Sequence, residues 1–503
     1  MGDYDHITTP DDVLELAAKR TGCSEVDSDS WRDGLTIMLD DLNNSPAFTP
    51  FGRDRVLGDA TDALGRRLRV HAYIQDHPEV LDAPVERPLF VLGMPRTGTT
   101  VISYLLDQDP ARRSLLHWQC VDPIPPARTE ALRTDPRCLA LLGEQRKILE
   151  MVKQAKVPLP HWEDADGPTE DMFIHNQDFK GLSWDSFLST SRYAEWLFHE
   201  TDMTSTYEYQ KRYLQVLQST APGTWSLKMP SHSVHIDALL KVFPDARLIW
   251  AHRDPYKATG SLCNLWMLPK GMVLQPDAID SKAMGRNAMA QMQYHVERPL
   301  RARDRIGDDR FFHMYYHEMM RDPMDVMRRI YEWAGDPLTA ETEARMGNWL
   351  AGHPQDLFAL NTYNLGQYDL TVEKLKPIFA EYLDTFDIEL EPRHEPGGLL
   401  SHRTGRRGRG RRRGAAHRGD GIPLDQTRRV DAERDHGRRR HRGAVLFRLF
   451  GECAAPGTDS GNPGHDLDRA GRRRCTPPGL LGRRHRCGRS ATRTHRIPPR
   501  SAS

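Results

Sequence analysis

The chain of 503 residues has few of the features that mark disulfide-rich, metal-binding or membrane-spanning proteins. Four of its seven cysteines lie in the first 400 residues, far apart and without a C-x-x-C pair, so neither a disulfide framework nor a zinc site is indicated. The 22 histidines include no H-E-x-x-H or comparable ligand spacing, so we expect no metal ion. No apolar stretch approaches the roughly 20 residues that span a bilayer.

The N-terminus also lacks an apolar segment. It begins Met1-Gly-Asp-Tyr-Asp-His, which is acidic and unlike a secretory signal peptide. Together these absences predict a cytoplasmic protein without a membrane span. The sequence carries no indication of the oligomeric state.

Charge is distributed unevenly along the chain. The formal net charge is zero, yet residues 401–503 contain 27 arginines, no lysine and nine acidic residues. The same segment has only two aromatic residues, both phenylalanine, and cannot bury much apolar surface. We therefore predict a disordered, Arg-rich tail over residues 393–503.

Two interpretations of this tail are open. An Arg-rich segment can be a nucleic-acid-binding arm. However, arginine without lysine, scattered among glycine, proline, histidine and alanine, is typical of a GC-rich reading frame translated out of phase. We favour a frameshift or a lost stop codon near residue 395, and we expect no specific nucleic-acid partner.

The most informative segment runs Leu89-Phe-Val-Leu-Gly-Met-Pro-Arg-Thr-Gly-Thr-Thr-Val101. Its apolar start predicts a buried strand, Gly93 and Gly98 bracket a tight loop, and a helix is expected from Thr99. A strand, a glycine-bounded loop and a helix direct backbone N–H groups and the positive end of a helix dipole at one spot. Such a spot binds phosphate or sulfate.

The residues inside this loop distinguish it from a nucleotide-triphosphate loop. The G-x-x-x-x-G-K-[ST] pattern of kinases and NTPases requires a lysine where this chain has Thr99. The cation of this loop is instead Arg96. A P-loop kinase or NTPase is therefore an alternative that the loop disfavours.

A second strand and turn, followed by an arginine and a serine, lie further along the chain. Residues 247–254 predict a strand that runs into a turn, and Pro255 stands at a helix start, where proline is tolerated. Arg253 ends the strand, and Ser261 follows about two helical turns later. Their guanidinium and hydroxyl groups suit a phosphate. Between the two patterns, we expect a third strand to end at Lys228 and a helix to run from about Ser233 to Phe243.

The sequences of these segments resemble the motifs of the PAPS-dependent sulfotransferase family, in its bacterial and actinobacterial branch. PAPS is 3′-phosphoadenosine 5′-phosphosulfate, the sulfuryl donor of that family. The resemblance covers about residues 88–390 and implies an α/β fold with a three-layer, P-loop-like parallel sheet flanked by helices. It places this domain at 88–392. Before it, the helical spacing of apolar residues predicts an N-terminal helical cap over 1–87, for example at Leu35, Met38, Leu39 and Leu42. The implied reaction transfers a sulfuryl group from PAPS to a hydroxyl or amine of a small-molecule or lipid acceptor.

The resemblance also implies site residues. The 5′-phosphosulfate would be bound by the loop residues Pro95, Arg96, Thr97, Gly98, Thr99 and Thr100. Arg253 and Ser261 would hold the 3′-phosphate, and Arg96 and Lys228 are the catalytic cations. The general base stays open between His232 and Glu170.

Two positions depart from the family pattern. Gln119 stands where related sequences often have a glutamate that some members use as a base, with Asp122 nearby as a substitute. The segment 352–363 usually carries basic residues near the 3′-phosphate in this family, and here His353 is the only candidate. A non-catalytic, PAPS-binding homologue is therefore a further alternative. Several aromatic residues between the motifs suit either core packing or an acceptor pocket: Trp118, Trp162, Phe173, Trp184, Phe187, Trp196 and Trp266.

Overall fold

Parallel strands form the centre of the computed structural model, which describes residues 4–155, 162–353 and 364–392. In these ranges the strands are β1 (Leu89–Gly93), β2 (Arg112–Ser114), β3 (Thr224–Lys228), β4 (Arg247–His252) and β5 (Phe311–Tyr315). They form one sheet in the order β2-β3-β1-β4-β5, with every neighbouring pair parallel. The loops after β1, β3 and β4 therefore leave the same edge of the sheet, where open α/β sheets bind their ligands.

Helices account for most of the remaining described residues. Along the chain they are α1 (Pro10–Thr21), α2 (Arg32–Asn44), α3 (Pro50–Asp76), α4 (Thr99–Leu106), α5 (His117–Val121), α6 (Pro136–Ala155), α7 (Met172–His175), α8 (Arg192–His199), α9 (Thr204–Gln218), α10 (Ile236–Val242), α11 (Pro255–Val273), α12 (Ser281–Ile306), α13 (Tyr316–Arg321), α14 (Pro323–Ala334), α15 (Ala340–Gly352) and α16 (Val372–Phe386). Short 3₁₀ turns connect several of them, among them Leu182–Ser186 and Pro230–Val234.

The side chains of β1 show that both faces of the sheet are covered. All five residues of this strand are buried. Phe90 and Leu92 belong to one hydrophobic core, and Leu89 and Val91 belong to a second core with α4, β5 and α14. A strand buried on both faces is continuously apolar, as parallel strands between helical layers are. The predicted three-layer α/β fold is confirmed.

The N-terminal region is helical, as its hydrophobic spacing predicts. Leu35, Met38, Leu39 and Leu42 all lie on the buried face of α2. These side chains belong to the same hydrophobic core as Phe90 of the sheet. The proposed domain limits at 87/88 and 392/393 stay predictions, and the tail at 393–503 lies outside the described residues.

The helix expected after β3 begins later than the sequence suggests. Pro230–Val234 forms a 3₁₀ turn, and α10 starts at Ile236. His235 separates the two with a non-helical backbone (φ −124°, ψ 31°). The turn buries His232 and Ser233, and the Ser233 hydroxyl donates a hydrogen bond to the Gly93 carbonyl over 3.3 Å. These tertiary contacts outweigh the local helix preference.

Candidate functional site

The loop after β1 has a backbone that only particular residues tolerate. Gly93 has φ +137°, and a Cβ there would lie 2.6 Å from the Ala251 carbonyl oxygen. Arg96 (φ +70°) and Gly98 (φ +86°) both adopt the left-handed region. For Arg96 this costs about 1 kcal/mol, a strain that clusters at binding loops. Gly98 is the N-cap of α4 and offers no side-chain cap, so the first N–H groups of the helix face the loop.

The two phosphate-binding patterns meet at this loop. Arg96 Nε donates a hydrogen bond to Ser261 Oγ over 3.1 Å. Arg253 Nη1 donates to the Arg96 carbonyl over 2.6 Å. Ser261 lies on α11 and Arg253 directly follows β4, so the structure brings these three residues together at the carboxyl edge of the sheet. Their roles in binding a donor stay predictions.

Arg253 is oriented by two residues that the sequence analysis missed. Its guanidinium lies 3.9 Å from the centre of the Tyr316 ring. Its Nε and Nη2 donate to the two carboxylate oxygens of Glu391, over 2.5 and 2.9 Å. Neither residue is near Arg253 in the sequence, and Glu391 is 138 residues away from it. No local signal therefore marks these contacts.

Lys228 lies between two carboxylates at the end of β3. The residue is 1 % exposed, and its Nζ donates to Glu163 Oε1 over 3.0 Å and to Glu170 Oε1 over 2.9 Å. Burial disfavours the ammonium, but the charges of Glu163 and Glu170 outweigh burial and raise the pKa of Lys228 above its ordinary value. Lys228 is therefore charged at neutral pH. Glu163 was missed because it lies 65 residues from Lys228 along the chain, and no local pattern marks the contact.

His232 is fully buried, and each of its two ring nitrogens has a hydrogen-bond partner. Its Nε2 lies 2.9 Å from Asp171 Oδ2, and its Nδ1 lies 2.9 Å from the Tyr207 hydroxyl. A histidine held in this way is well placed to support the fold beneath the β3 loop. The geometry does not favour contact between this ring and a substrate.

A cavity of about 1850 Å³ opens at the carboxyl edge of the sheet. Eight predicted site residues line it: Pro95, Arg96, Gly98, Thr99, Thr100, Glu170, Arg253 and Ser261. Thr97, Lys228 and His232 do not line it. The volume exceeds that of a typical single-ligand site, so the cavity has room for two ligands side by side.

Part of the cavity wall is apolar. One face of α11 lines the cavity from Ser261 to Pro269, a span of about 12 Å at the helical rise of 1.5 Å per residue. The leucine and tryptophan side chains of this face, together with Trp184 and Phe187, form what we call the apolar wall. One face of α3 adds a mostly charged set of lining residues to the same cavity. That set is Arg55, Asp59, Ala63 and Arg66.

The positions that depart from the family pattern differ in whether they line the cavity. Gln119 is 1 % exposed, does not line the cavity, and accepts a hydrogen bond from Arg113 Nη2 over 2.8 Å. Asp122 pairs with Arg69 at 2.8 Å and also lies outside the cavity lining. His353 does line the cavity, whereas most of the segment expected to be basic, 354–363, lies outside the described residues.

Neither a metal centre nor a membrane helix is found in the part of the chain that the structure describes. No group of three or more His, Cys, Asp or Glu side chains there could hold a metal ion. No helix in the same ranges is both long and apolar enough to cross a bilayer.

Comparisons with known proteins agree on one family. A family model described as "Sulfotransferase family" matches residues 88–340. The crystal structure of sulfotransferase STF9 from Mycobacterium avium shares 82 % sequence identity and a TM-score of 0.75, and the match covers 78 % of this chain and all of that one. Sulfotransferase STF1 from Mycobacterium tuberculosis H37Rv shares 27 % identity and a TM-score of 0.62, over 74 % of this chain and 98 % of that one.

A curated relative is known from Mycobacterium tuberculosis and Mycobacterium bovis. It is named omega-hydroxy-beta-dihydromenaquinone-9 sulfotransferase Stf3. The similarity is 26 % identity over 320 residues, which span 61 % of this chain and 76 % of the relative.

Proposed function

Because this chain belongs to the sulfotransferase family, we propose that it transfers a sulfuryl group from PAPS to a hydroxyl or amine of a small-molecule or lipid acceptor. One observation carries the proposal. The loop after β1 is joined to Arg253 and Ser261 by hydrogen bonds of 2.6 and 3.1 Å, so two oxyanion-binding features share one cavity.

The residues present fit a donor with two separate phosphate groups. The left-handed turns at Arg96 and Gly98 make a concave loop of backbone N–H groups, which is a common anion-binding geometry. Arg253 already holds the carboxylate of Glu391 with two parallel hydrogen bonds, so its guanidinium is oriented for an oxyanion. When bound, PAPS supplies the sulfuryl group and a phosphate leaving group.

Within this proposal Arg96 and the loop bind the 5′-phosphosulfate. The N–H groups of residues 97–100 and the hydroxyls of Thr99 and Thr100 hold its oxygens. Arg96, inside the cavity wall, neutralises the negative charge that grows on the bridging oxygen. Arg253 and Ser261 bind the 3′-phosphate. Lys228 lies behind the wall, so we assign it a positioning role through Glu170.

Glu170 is the proposed general base. Its carboxylate lines the cavity, and Lys228 orients it over 2.9 Å. The acceptor oxygen bonds to sulfur as the bond between sulfur and the bridging phosphate oxygen breaks, which releases adenosine 3′,5′-bisphosphate. The proton of the acceptor O–H group passes to Glu170. His232 is the weaker candidate because both of its ring nitrogens are engaged.

The apolar wall suggests the class of acceptor. Its leucine, tryptophan and phenylalanine side chains suit an elongated apolar molecule whose hydroxyl lies near Glu170, the proposed base. The curated relative is named for an omega-hydroxylated menaquinone acceptor. An apolar acceptor with a hydroxyl group is therefore our proposal for this chain.

Calorimetric titration of the full chain with adenosine 3′,5′-bisphosphate tests the donor. We expect micromolar binding, with no binding of ATP in the presence or absence of magnesium. ATP binding with magnesium would instead support the kinase or NTPase alternative. Absence of binding by either nucleotide would contradict the proposed donor site.

A further inference from the structure

We propose that Glu391 is an internal competitor for the phosphate subsite at Arg253, so that the donor must displace this carboxylate in order to bind. The inference rests on the proposed function, because it assigns Arg253 to the 3′-phosphate. It adds a contact within the chain that sets donor affinity and product release.

Glu391 occupies one hydrogen-bonding edge of the Arg253 guanidinium. Arg253 offers one edge, formed by Nε and Nη2, to the two oxygens of Glu391 at 2.5 and 2.9 Å. Its Nη1 donates to the Arg96 carbonyl over 2.6 Å, and its flat face lies over the Tyr316 ring at 3.9 Å. A guanidinium binds an oxyanion through two parallel hydrogen bonds at its Nε–Nη2 edge or at its Nη1–Nη2 edge. Because Nη1 already donates to the Arg96 carbonyl, we assign the phosphate to the Nε–Nη2 edge that Glu391 occupies. The phosphate and Glu391 therefore exclude each other.

The backbone around Glu391 explains how the carboxylate is delivered to this edge. The Glu391 N–H donates to Asp254 Oδ2 over 2.9 Å. The other oxygen of Asp254 accepts from the Tyr256 N–H over 2.8 Å and caps α11. The contact therefore docks the segment after α16 onto the start of α11. The buried side chains of Tyr382 and Phe386 hold the end of α16 itself.

The strength of this contact allows exchange with a ligand. The side chains of Arg253 and Glu391 are 20 % and 29 % exposed, so water reaches the pair. Ion pairs that water reaches contribute little net stability. A phosphate carries more negative charge than a carboxylate, and arginine binds either group through paired hydrogen bonds. The donor therefore displaces Glu391 from the Nε–Nη2 edge of Arg253, but the competition lowers the affinity for the donor.

The consequence for turnover follows from the same exchange. Once the bisphosphate product begins to leave, Glu391 can take back the Nε–Nη2 edge and lower the chance of rebinding. Removing the carboxylate is therefore expected to tighten product binding and to slow product release.

Titration of full-length variants with adenosine 3′,5′-bisphosphate tests the inference. Glu391→Gln removes the charge at constant size, and Glu391→Ala removes the side chain. Glu389→Gln is the matched control, because Glu389 is two residues away and its nearest ionic partner is His317, at 3.8 Å. We expect both Glu391 variants to bind the bisphosphate about three- to tenfold more tightly, which corresponds to roughly 0.7–1.4 kcal/mol. The control should match the unaltered protein.

The outcomes separate this inference from the proposed function. If the unaltered protein binds the bisphosphate and the Glu391 variants bind it equally or more weakly, the competitor role is wrong while the donor site stands. If the Glu389 control tightens binding as much as the Glu391 variants, the effect is general electrostatics and the inference also fails. If no variant binds the bisphosphate, the donor assignment itself fails. Thermal unfolding of each variant checks that the fold is retained.

Discussion

Arg96 and Ser261 lie 165 residues apart in the chain, yet the Nε of one donates a hydrogen bond to the Oγ of the other over 3.1 Å. The contact joins the loop after β1 to the second turn of α11. It forms because β1 and β4 are neighbouring parallel strands, so the segments that follow them leave the same edge of the sheet.

Arg96→Ala should impair chemistry more than donor binding. Loss of a charged group beside developing negative charge costs several kcal/mol of transition-state stabilisation, about 10²–10³-fold in kcat. PAPS-dependent sulfation of a 1-alkanol, followed by release of the bisphosphate, gives kcat. The same calorimetric titration gives donor affinity.

Arg253→Ala should show the opposite pattern. We expect the bisphosphate to bind at least tenfold more weakly, with a smaller change in kcat, because Arg253 holds a group remote from the reacting sulfur. Arg345→Ala, an exposed arginine paired only within α15 in the described residues, serves as a control for the loss of one positive charge. Equal and small effects of the Arg96 and Arg253 variants would refute the placement of the donor.

Glu170→Gln should lower kcat by about 10²–10⁴-fold and leave bisphosphate affinity nearly unchanged, since general base catalysis contributes that much. His232→Asn is the comparison, because it removes the competing candidate. We expect that variant to lose thermal stability through its buried contacts with Asp171 and Tyr207. A folded His232 variant with the larger loss in kcat would reverse the assignment.

Sulfation of 1-alkanols of increasing length tests the role of the apolar wall. Each buried methylene contributes about 0.8 kcal/mol, or roughly fourfold in kcat/KM. The gain should continue to about ten carbons, the length that roughly 12 Å of helix face accommodates. Leu265→Gln, in the apolar wall, should lower kcat/KM for the long alcohols more than for the short ones. A flat dependence on chain length would contradict an elongated apolar acceptor.

Gln119→Glu should stabilise the fold without raising activity. Arg113, the donor to Gln119, is buried, and burial lowers the pKa of Arg113 to about 9. The Nε2 of Gln119 has no hydrogen-bond partner among the described residues. A carboxylate would give the buried guanidinium a charged acceptor, worth about 1–2 kcal/mol in the free energy of unfolding. A large rise in kcat would instead show that position 119 reaches the substrate.

Buried histidines should make the fold sensitive to acid. Burial and the neighbouring His232 lower the pKa of His175 to about 4, below the ordinary 6.5. The unfolded chain therefore binds a proton that the folded protein does not between pH 6.5 and 4. Stability present above pH 6.5 should fall as the pH drops through this window, by up to about 1.4 kcal/mol per pH unit for each such histidine.

Urea unfolding at pH 7, 6 and 5 measures this loss. His175→Gln removes one titrating group. The change of the free energy of unfolding with pH should then correspond to up to one fewer proton taken up on unfolding. A free energy of unfolding that stays constant from pH 7 to 5 would contradict the prediction.

Some parts of the molecule were predictable from local sequence because they depend on local patterns. The apolar run of β1, the glycines of its loop and the spacing of Leu35 to Leu42 in α2 predicted elements that the structure confirms. The motif wording predicted the family, which the comparisons confirm. The β3 loop was predicted less well, since a 3₁₀ turn there follows from contacts with β1.

The amino-acid sequence by itself determined the strand–loop–helix around Arg96, because backbone preferences and hydrophobic periodicity act over a few residues. Only the tertiary structure decided which side chains share the cavity. It placed Glu170 at the wall, buried His232 behind it, and brought Glu163 and Glu391 to Lys228 and Arg253. The physical reason is that these pairings join residues tens to more than a hundred positions apart, and no short-range pattern records a contact that exists only after the sheet has assembled.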